Sequence, residues 1–260
     1  MKKAWKIFLL FTKFSIKITF RHPAGIILFT LGKLIRFGMF FFFVYYLLFN
    51  TKLLAGYSLQ QTIIFYMTFN ILDTTSQLLF REVYRFRQLV ISGELNTILV
   101  KPYHPFLKIL VGGVDILDVI ISFIYIGIAT FFIAQLPEFS VIHLLLYIAL
   151  LINGLIIATS FHIAVLALGI LTTEVDHTIM IYRDMTRLGT FPIDIYQQPI
   201  RFLFTFVIPI GIMVSIPVKS LLNLLSWPWY VASFIFGIMS LVIALQFWNY
   251  ALKKYQSWGG

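Results

Sequence analysis

Acidic residues are scarce in this chain, ten against twenty lysines and arginines, so each carboxylate inside an apolar run is a candidate for chemistry. Asp115 and Asp118 stand three residues apart, which on a helix places both on one face. A carboxylate pair can serve as general acid and base, but that use needs a substrate pocket for which no other component is visible. Pairing with cations such as Lys108 or Lys33, or a polar pathway, fits the residues better. Glu174-Val-Asp-His177 supplies one Glu-x-x-His, whereas a di-iron bundle uses two together with two further glutamates, and no second copy occurs. The five histidines, His22, His104, His143, His162 and His177, are scattered without ligand spacing. The absence of cysteine removes thiolate metal sites, disulfides and thiol catalysis together. Gly32-Lys33 is followed by Leu34 and lacks the earlier glycine of a phosphate-binding loop. No catalytic residue, metal or directly bound cofactor is therefore expected.

Polar residues inside apolar runs are costly in lipid and face protein or water. Asn70, Asp73, Gln77 and Arg81 repeat every three or four residues, forming one polar stripe along a helix. That stripe is expected to face a partner helix or a pathway, as are Asp115 and Asp118.

The elements that must position these groups are membrane helices. Sixty per cent of the residues are hydrophobic and the mean hydropathy is +0.93, and several runs reach the roughly 20 residues needed to cross about 30 Å of hydrocarbon. Spans are expected near Ile26 to Phe49, Gln61 to Phe80, Phe106 to Ala134, Val141 to Leu171, Leu203 to Val218 and Pro228 to Ala251. The cations sort by gap. Lys2, Lys3, Lys6, Lys13, Lys17 and Arg21 precede the first span; Arg81, Arg85, Arg87, Lys101 and Lys108 follow the second; Arg183, Arg187 and Arg201 follow the fourth; Lys253 and Lys254 end the chain. The opposite gaps hold Lys52 and Lys219. The positive-inside rule then makes both termini cytoplasmic. Lys33 and Arg36 sit in the first run, near enough to its cytoplasmic end for long side chains to snorkel. With no long soluble stretch, residues 1–260 are read as one all-α membrane domain.

The net charge of +10 lies on the lipid-facing rim, which makes anionic membrane lipid the expected partner and argues against nucleic acid. Lys2, Lys6, Lys13, Lys17 and Arg21 fall within an arc of about 100°, so residues 1–23 form an amphipathic interfacial helix on the inner leaflet, broken at His22-Pro23. A plain basic anchor is the simpler alternative. Residues 81–105 are long for a turn. The stretch Arg85-Phe-Arg-Gln-Leu-Val-Ile-Ser-Gly-Glu-Leu-Asn-Thr-Ile-Leu-Val-Lys101-Pro102 mixes charged and apolar residues, with Gly93 able to bend it and Pro102 closing it. It reads either as a short helix docking into another protein or as a solvated basic loop.

One stretch carries a resemblance: Thr190-Phe-Pro-Ile-Asp-Ile-Tyr-Gln-Gln-Pro-Ile-Arg-Phe-Leu-Phe-Thr-Phe-Val-Ile-Pro-Ile-Gly211, followed by Ser215-Ile-Pro217. It resembles the membrane subunit of ABC-2 type ATP-binding-cassette transporters, in a branch of small bacterial six-span permeases. There a Pro-(Ile/Leu)-x-Ile-Tyr segment precedes a Thr-Phe-(Val/Ile)-Ile-Pro run. The Ser92-Gly-Glu-Leu95 to Leu99-Val-Lys-Pro102 stretch, the basic N-terminus and the ending Ala251-Leu-Lys-Lys-Tyr-Gln-Ser257 agree with it.

The resemblance implies a permease in the bacterial cytoplasmic (inner) membrane, paired with a second copy or a related permease and with two P-loop ATPase subunits that bind ATP and Mg. It implies that the segment after the second span couples to the ATPase, here through Arg85, Arg87, Gly93, Glu94, Leu95, Leu99, Lys101 and Pro102, with Leu95 and Leu99 as apolar anchors. It also implies a short fifth span before a re-entrant hairpin. Glu174 to Thr190 would then be embedded, and Phe191 to Val218 would form the hairpin, with helix breaks at Pro192, Pro199, Pro209 and Pro217 and with Tyr196 in its first leg. Whether 174–190 or 203–218 is the fifth span stays open. A permease exporting amphipathic or hydrophobic cargo is the leading functional expectation. A stand-alone secondary carrier or polytopic membrane enzyme, using Asp73, Asp115 or Asp118, is the alternative.

Overall fold

The computed structural model describes residues 2–21, 23–51, 53–137, 140–172 and 175–256. His22, Lys52, Glu174 and Ser257, singled out above, lie outside them. The described residues are helical with no β-strand. Four helices are long and apolar enough to cross a membrane. They are α2 (Pro23–Thr51), α6 (Ile116–Ala134), α7 (Val141–Thr172) and α11 (Trp227–Lys254), and α1 (Lys2–Thr19) precedes them.

The second expected span is α3 (Leu59–Phe80), whose start is set by a capping box. Ser58 Oγ accepts from the Gln61 amide at 3.4 Å, and the Gln61 side chain accepts from the Ser58 amide at 2.9 Å. Its polar residues keep it off the list of strongly apolar helices, and it is shielded by protein instead: Thr62 through Asn70 are all buried. Of the six expected spans, four are thus strongly apolar helices and one is this polar, protein-enclosed helix.

The sixth departs from the expectation of a straight span. Residues 203–218 fall within two helices, α9 (Ile200–Val207) and α10 (Gly211–Leu221), bent by 76° at the break around Pro209. Before them, α8 (Val175–Thr186) continues as a tighter turn to Thr190. Those sixteen residues can rise about 24 Å.

Helix α7 is the hub, packed on α3, α11, α8 and α10. It approaches α11 closely because Gly237 faces Asn153 with no room for a Cβ, and Gly154 likewise lets the Met213 carbonyl of α10 come close. Asn153 Nδ2 donates to the Ser233 carbonyl at 2.9 Å, and Ser240 meets Ser160 at 3.2 Å. By contrast, α2 buries none of its apolar window. Its contacts with the bundle include Phe37 and Phe40, stacked on Tyr66 at 5.7 and 4.1 Å, and nearer its end Val44 and Leu48 are buried. Its other face, with Leu28, Met39, Phe42 and Phe49, stays exposed.

Gly237→Leu is expected to push Asn153 off Ser233 and to cost about 1–3 kcal/mol through overpacking. Gly38, with open space around its Cα, provides the control as Gly38→Ala. Thermal unfolding in detergent checks this: the midpoint drops by roughly 5 °C for the first and stays unchanged for the second.

Candidate functional site

At one end of the bundle, residues 81–111 fold back on the helices. After α3 the chain makes a tight turn over Arg81–Arg85, then α4 (Phe86–Ile91) and α5 (Glu94–Leu99), joined at Gly93, whose φ of +73° is the left-handed conformation that lets two short helices meet at an angle. Residues three to five apart bury. Val83, Phe86, Val90 and Leu95 are fully enclosed, and Ile98 nearly so, in one apolar core that also holds residues of α7 and α8. The expectation that Leu95 anchors a partner is therefore corrected: it belongs to the chain's own core, and Leu99 is half-buried against it. The apolar side chains left outside are Ile91, 49% exposed, and Val100, 82% exposed. Around them, Glu82 holds Arg85 at 3.2 Å and Lys108 at 3.3 Å, Arg87 approaches Asp176 at 3.9 Å, and Glu94 is exposed. A cleft of about 540 Å³ opens between Arg85, Gln88, Ile91, Glu94 and Lys108. Lys101 and Pro102 follow, exposed, beyond Val100.

Helix α1 rests on the returning end of this segment. Thr12 Oγ1 accepts from the Val114 amide at 3.4 Å, and Lys108 lies 5.4 Å over the Phe11 ring. The charge pattern of α1 gave no hint of this seat.

The carboxylates of α6 are structural. Asp115 caps the helix by accepting from the Leu117 amide at 2.9 Å and pairs with Arg81, and Asp118 pairs with Lys33 at 2.5 Å. Of the two cations proposed for them, Lys33 is the partner, while Lys108 is held by Glu82. Snorkelling of Lys33 is replaced by this inward pairing. The two pairs tie α2 and α3 to α6, and they leave no free carboxylate pair for acid–base chemistry.

The stripe on α3 divides. Asn70 turns back to the Tyr66 carbonyl at 2.7 Å, Gln77 donates to Asp73 at 2.8 Å, and Arg81 goes to Asp115. Asp73 and Gln77 border an internal cavity of about 30 Å³ with Tyr84, His162, Tyr182 and Arg183, enough for a water or two. His162 is a core residue, bonded to the Ala158 carbonyl at 2.7 Å and set at a tilt against the Phe80 ring at 4.7 Å. Among the described residues no three ligand-type side chains converge as a metal site would require.

At the other end stands a cluster that sequence reasoning missed. Asp194 accepts from Tyr57 Oη at 2.9 Å, from Arg201 at 2.6 Å and from Lys219 at 2.8 Å. Tyr57 lies between α2 and α3, Arg201 begins the first leg of the bent pair and Lys219 ends the second. One carboxylate thus binds both outer ends of α9 and α10, so the pair leaves and returns at the same end of the bundle and is a hairpin. The assignment of Arg201 to the same face as Arg85 is corrected accordingly. Burial works against the ionised Asp194, but Lys219, Tyr57 and Arg201 outweigh it and hold the carboxyl below the usual range. Burial, then the Asp194 charge, pushes the Tyr57 phenol well up, so it stays a donor.

The prolines act unequally. Pro192 is buried where the turn after Thr190 ends, and Ser215 Oγ accepts from the next amide, Ile193, at 3.1 Å. Pro199 stands just before α9 and Pro209 makes the bend. Pro217 breaks nothing: it sits inside α10, where a wide helical turn passes into a regular one. Tyr196 Oη donates to the Leu188 carbonyl at 3.0 Å and its ring meets Phe204 edge-on.

A hairpin at one end, a short-helix ledge at the other and apolar helices between them agree with the result of family comparison, in which the model of the ABC-2 family transporter protein matches residues 34–259. The chain belongs to the ABC-2 transporter family. No curated protein and no solved structure matches it. As an ABC-2 permease it is a multi-pass membrane transport component, a class that is generally not itself catalytic. The match starts inside α2, so α1 precedes the matched residues, whereas Val114, on which it rests, lies within them.

Because the Asp194 carboxyl titrates lower in the fold than in the unfolded chain, its contribution is complete above about pH 4 and is lost as pH falls through the depressed value. Asp194→Asn leaves two cations facing each other and is expected to cost roughly 1–3 kcal/mol at neutral pH. Thermal midpoints of wild type and variant, measured from pH 7 down to pH 3, should converge toward the acid end.

Proposed function

We propose that this chain is the permease subunit of a bacterial ABC exporter for amphipathic or hydrophobic cargo, one membrane domain driven by separate P-loop ATPase subunits that bind ATP and Mg. Both termini and residues 81–105 face the cytoplasm, the hairpin faces outward, and α1 lies along the inner leaflet. Two permeases, two copies or this chain and a relative, enclose the pathway. The observation that carries the reading is the ledge of α4 and α5. Its inner side is fixed by Phe86, Val90 and Leu95 in the core, and its outer side offers Ile91 and Val100 among Arg85, Arg87 and Glu94.

Such a surface suits a coupling element. Exposed apolar anchors supply docking energy, and the charges around them set register. Because Phe86 packs beside Gly169 of α7 and α4 lies on both α7 and α8, displacement of the ledge by closure of an ATPase dimer is carried into those helices as a rigid movement. Nucleotide then shifts the balance between two packings of the bundle by binding one of them better through the ATPase.

Asp73 supports a second reading, a proton-coupled carrier, because it is an embedded carboxylate beside an internal cavity. The two readings separate in one experiment. The tagged chain is purified in mild detergent and its partners are identified by mass spectrometry, alongside a chain carrying Ile91→Glu and Val100→Glu. The permease reading expects a P-loop ATPase with the wild type and its recovery reduced by about tenfold or more in the variant, since two apolar anchors are lost. Absence of any ATPase, together with transport that stops in Asp73→Asn and ignores ATP, would favour the carrier.

A further inference from the structure

The expectation that Arg36 reaches a headgroup region by snorkelling does not suit its place in the fold. It stands midway along α2, about 20 Å from Pro23 along the axis, on an exposed face, and it makes no hydrogen bond or ion pair with any described residue. Across a gap from it is Arg187, at the end of α8, on the wall formed with Thr190. The two arginines flank a concavity of about 330 Å³ whose remaining lining is Phe40, Tyr66 and Phe69. Arg187 has one acidic contact, Asp184 at 3.1 Å, exposed on its own helix. Asp73, on which both arginines act through space, is already bonded to Gln77. The Thr190 hydroxyl is turned to the Arg187 carbonyl. The site thus has guanidinium donors in excess of the acceptors around them, at a depth where an unpaired charge is costly and marks a functional position.

We propose that this concavity binds an anionic amphiphile, its charged head held between Arg36 and Arg187 and its apolar tail laid along Phe40, Phe43 and Phe191. The tail track is built: Phe191 lies 5.2 Å from Phe40 and 6.4 Å from Phe43, ring to ring, on the Tyr57 side of Arg36, and the exposed face of α2 continues it through Tyr46. The head chemistry follows from the donors. Two planar guanidinium groups match the oxygens of a phosphate, sulfate or carboxylate, and nothing lining the concavity offers a carboxylate to a cation. A neutral carbohydrate is disfavoured because it would bring no counter-charge to the two guanidinium groups. The inference rests on the permease reading only in calling the amphiphile cargo; the binding site stands on the geometry alone. Arg187 lies on the element that leads from the ledge to the hairpin, so the head bridges a peripheral helix and one expected to move.

The test uses the purified full chain in a neutral maltoside detergent, titrated with dodecyl phosphate and followed by native mass spectrometry. Wild type is expected to hold one dodecyl phosphate per chain. Arg36→Gln and Arg187→Gln are each expected to weaken binding by about tenfold or more, the loss of a charge-assisted hydrogen bond. Arg36→Lys keeps the charge but not the planar fork and should bind between wild type and Arg36→Gln, which separates loss of the site from loss of the fold. Dodecyltrimethylammonium should not displace the phosphate. Glutamine variants that bind like wild type, or equal displacement by the cationic detergent, would overturn the proposal. Displacement by phosphatidylglycerol would make a bilayer phospholipid the occupant, and resistance to it would make a single-tailed anion the occupant; both keep an anionic amphiphile in the site. Recovery of the ATPase is read separately. Binding without an ATPase would sink the permease reading and leave the site, whereas an ATPase without binding would sink the site alone.

Discussion

Hydrocarbon offers no partner to a peptide group or a charge, and this chain meets that constraint by making every irregular or charged segment the concern of a neighbouring helix. The hairpin of α9 and α10 contains wide helical turns and a proline bend, which leave backbone groups that a straight helix would satisfy. It is tolerated because α3 and α7 cover its second leg, and because the hydroxyl of Ser215 and the Asp194 carboxylate take up donors beside it. The same rule governs α3, too polar to face lipid and therefore surrounded, and the pairs Lys33 with Asp118 and Arg81 with Asp115, each spanning two helices. Arg36 is the exception that the pattern makes visible.

This arrangement separates two devices along one set of rods. The ledge of α4 and α5 is fixed to α7 and α8 by buried side chains, and the hairpin is fixed to the same helices at the opposite end through Gly154, Met213 and Ile210. Packed helices move as units, not by continuous deformation. A push on the ledge therefore reaches the hairpin without a dedicated wire of residues. The loose attachment of α2, whose apolar window is wholly unburied, leaves a face for lipid or a second permease.

Much of the fold was legible because hydropathy reports what a bilayer imposes. The long helices from Pro23, Val141 and Trp227 follow directly from their runs, whereas the run read from Phe106 becomes a regular helix only at Ile116. Lys33 was one of two cations offered for Asp115 and Asp118, because few lie within reach of an embedded carboxylate. The hairpin was legible only through resemblance. Proline and apolar content look the same in a broken span and in a re-entrant pair, and the deciding contact, Asp194 with Arg201 and Lys219, joins residues whose spacing has no helical or strand period. Leu95 was misread for a related reason. On a short amphipathic helix, sequence shows that one face is apolar but not whether that face meets the protein's own core or a partner, and burial of Leu95 with exposure of Val100 settles it.

The account depends most on the ledge and the base of the hairpin lying on opposite sides of the membrane, with both hairpin legs on one side. The chain has no cysteine, so single reporters can be placed at Val100→Cys, Gln198→Cys and Leu224→Cys, all exposed positions outside the Asp194 cluster. Labelling intact cells with a membrane-impermeant maleimide should modify the reporters at 198 and 224 and spare the one at 100 until the cells are opened. Labelling at 224 but not at 198 would make residues 200–221 a span and would contradict the account.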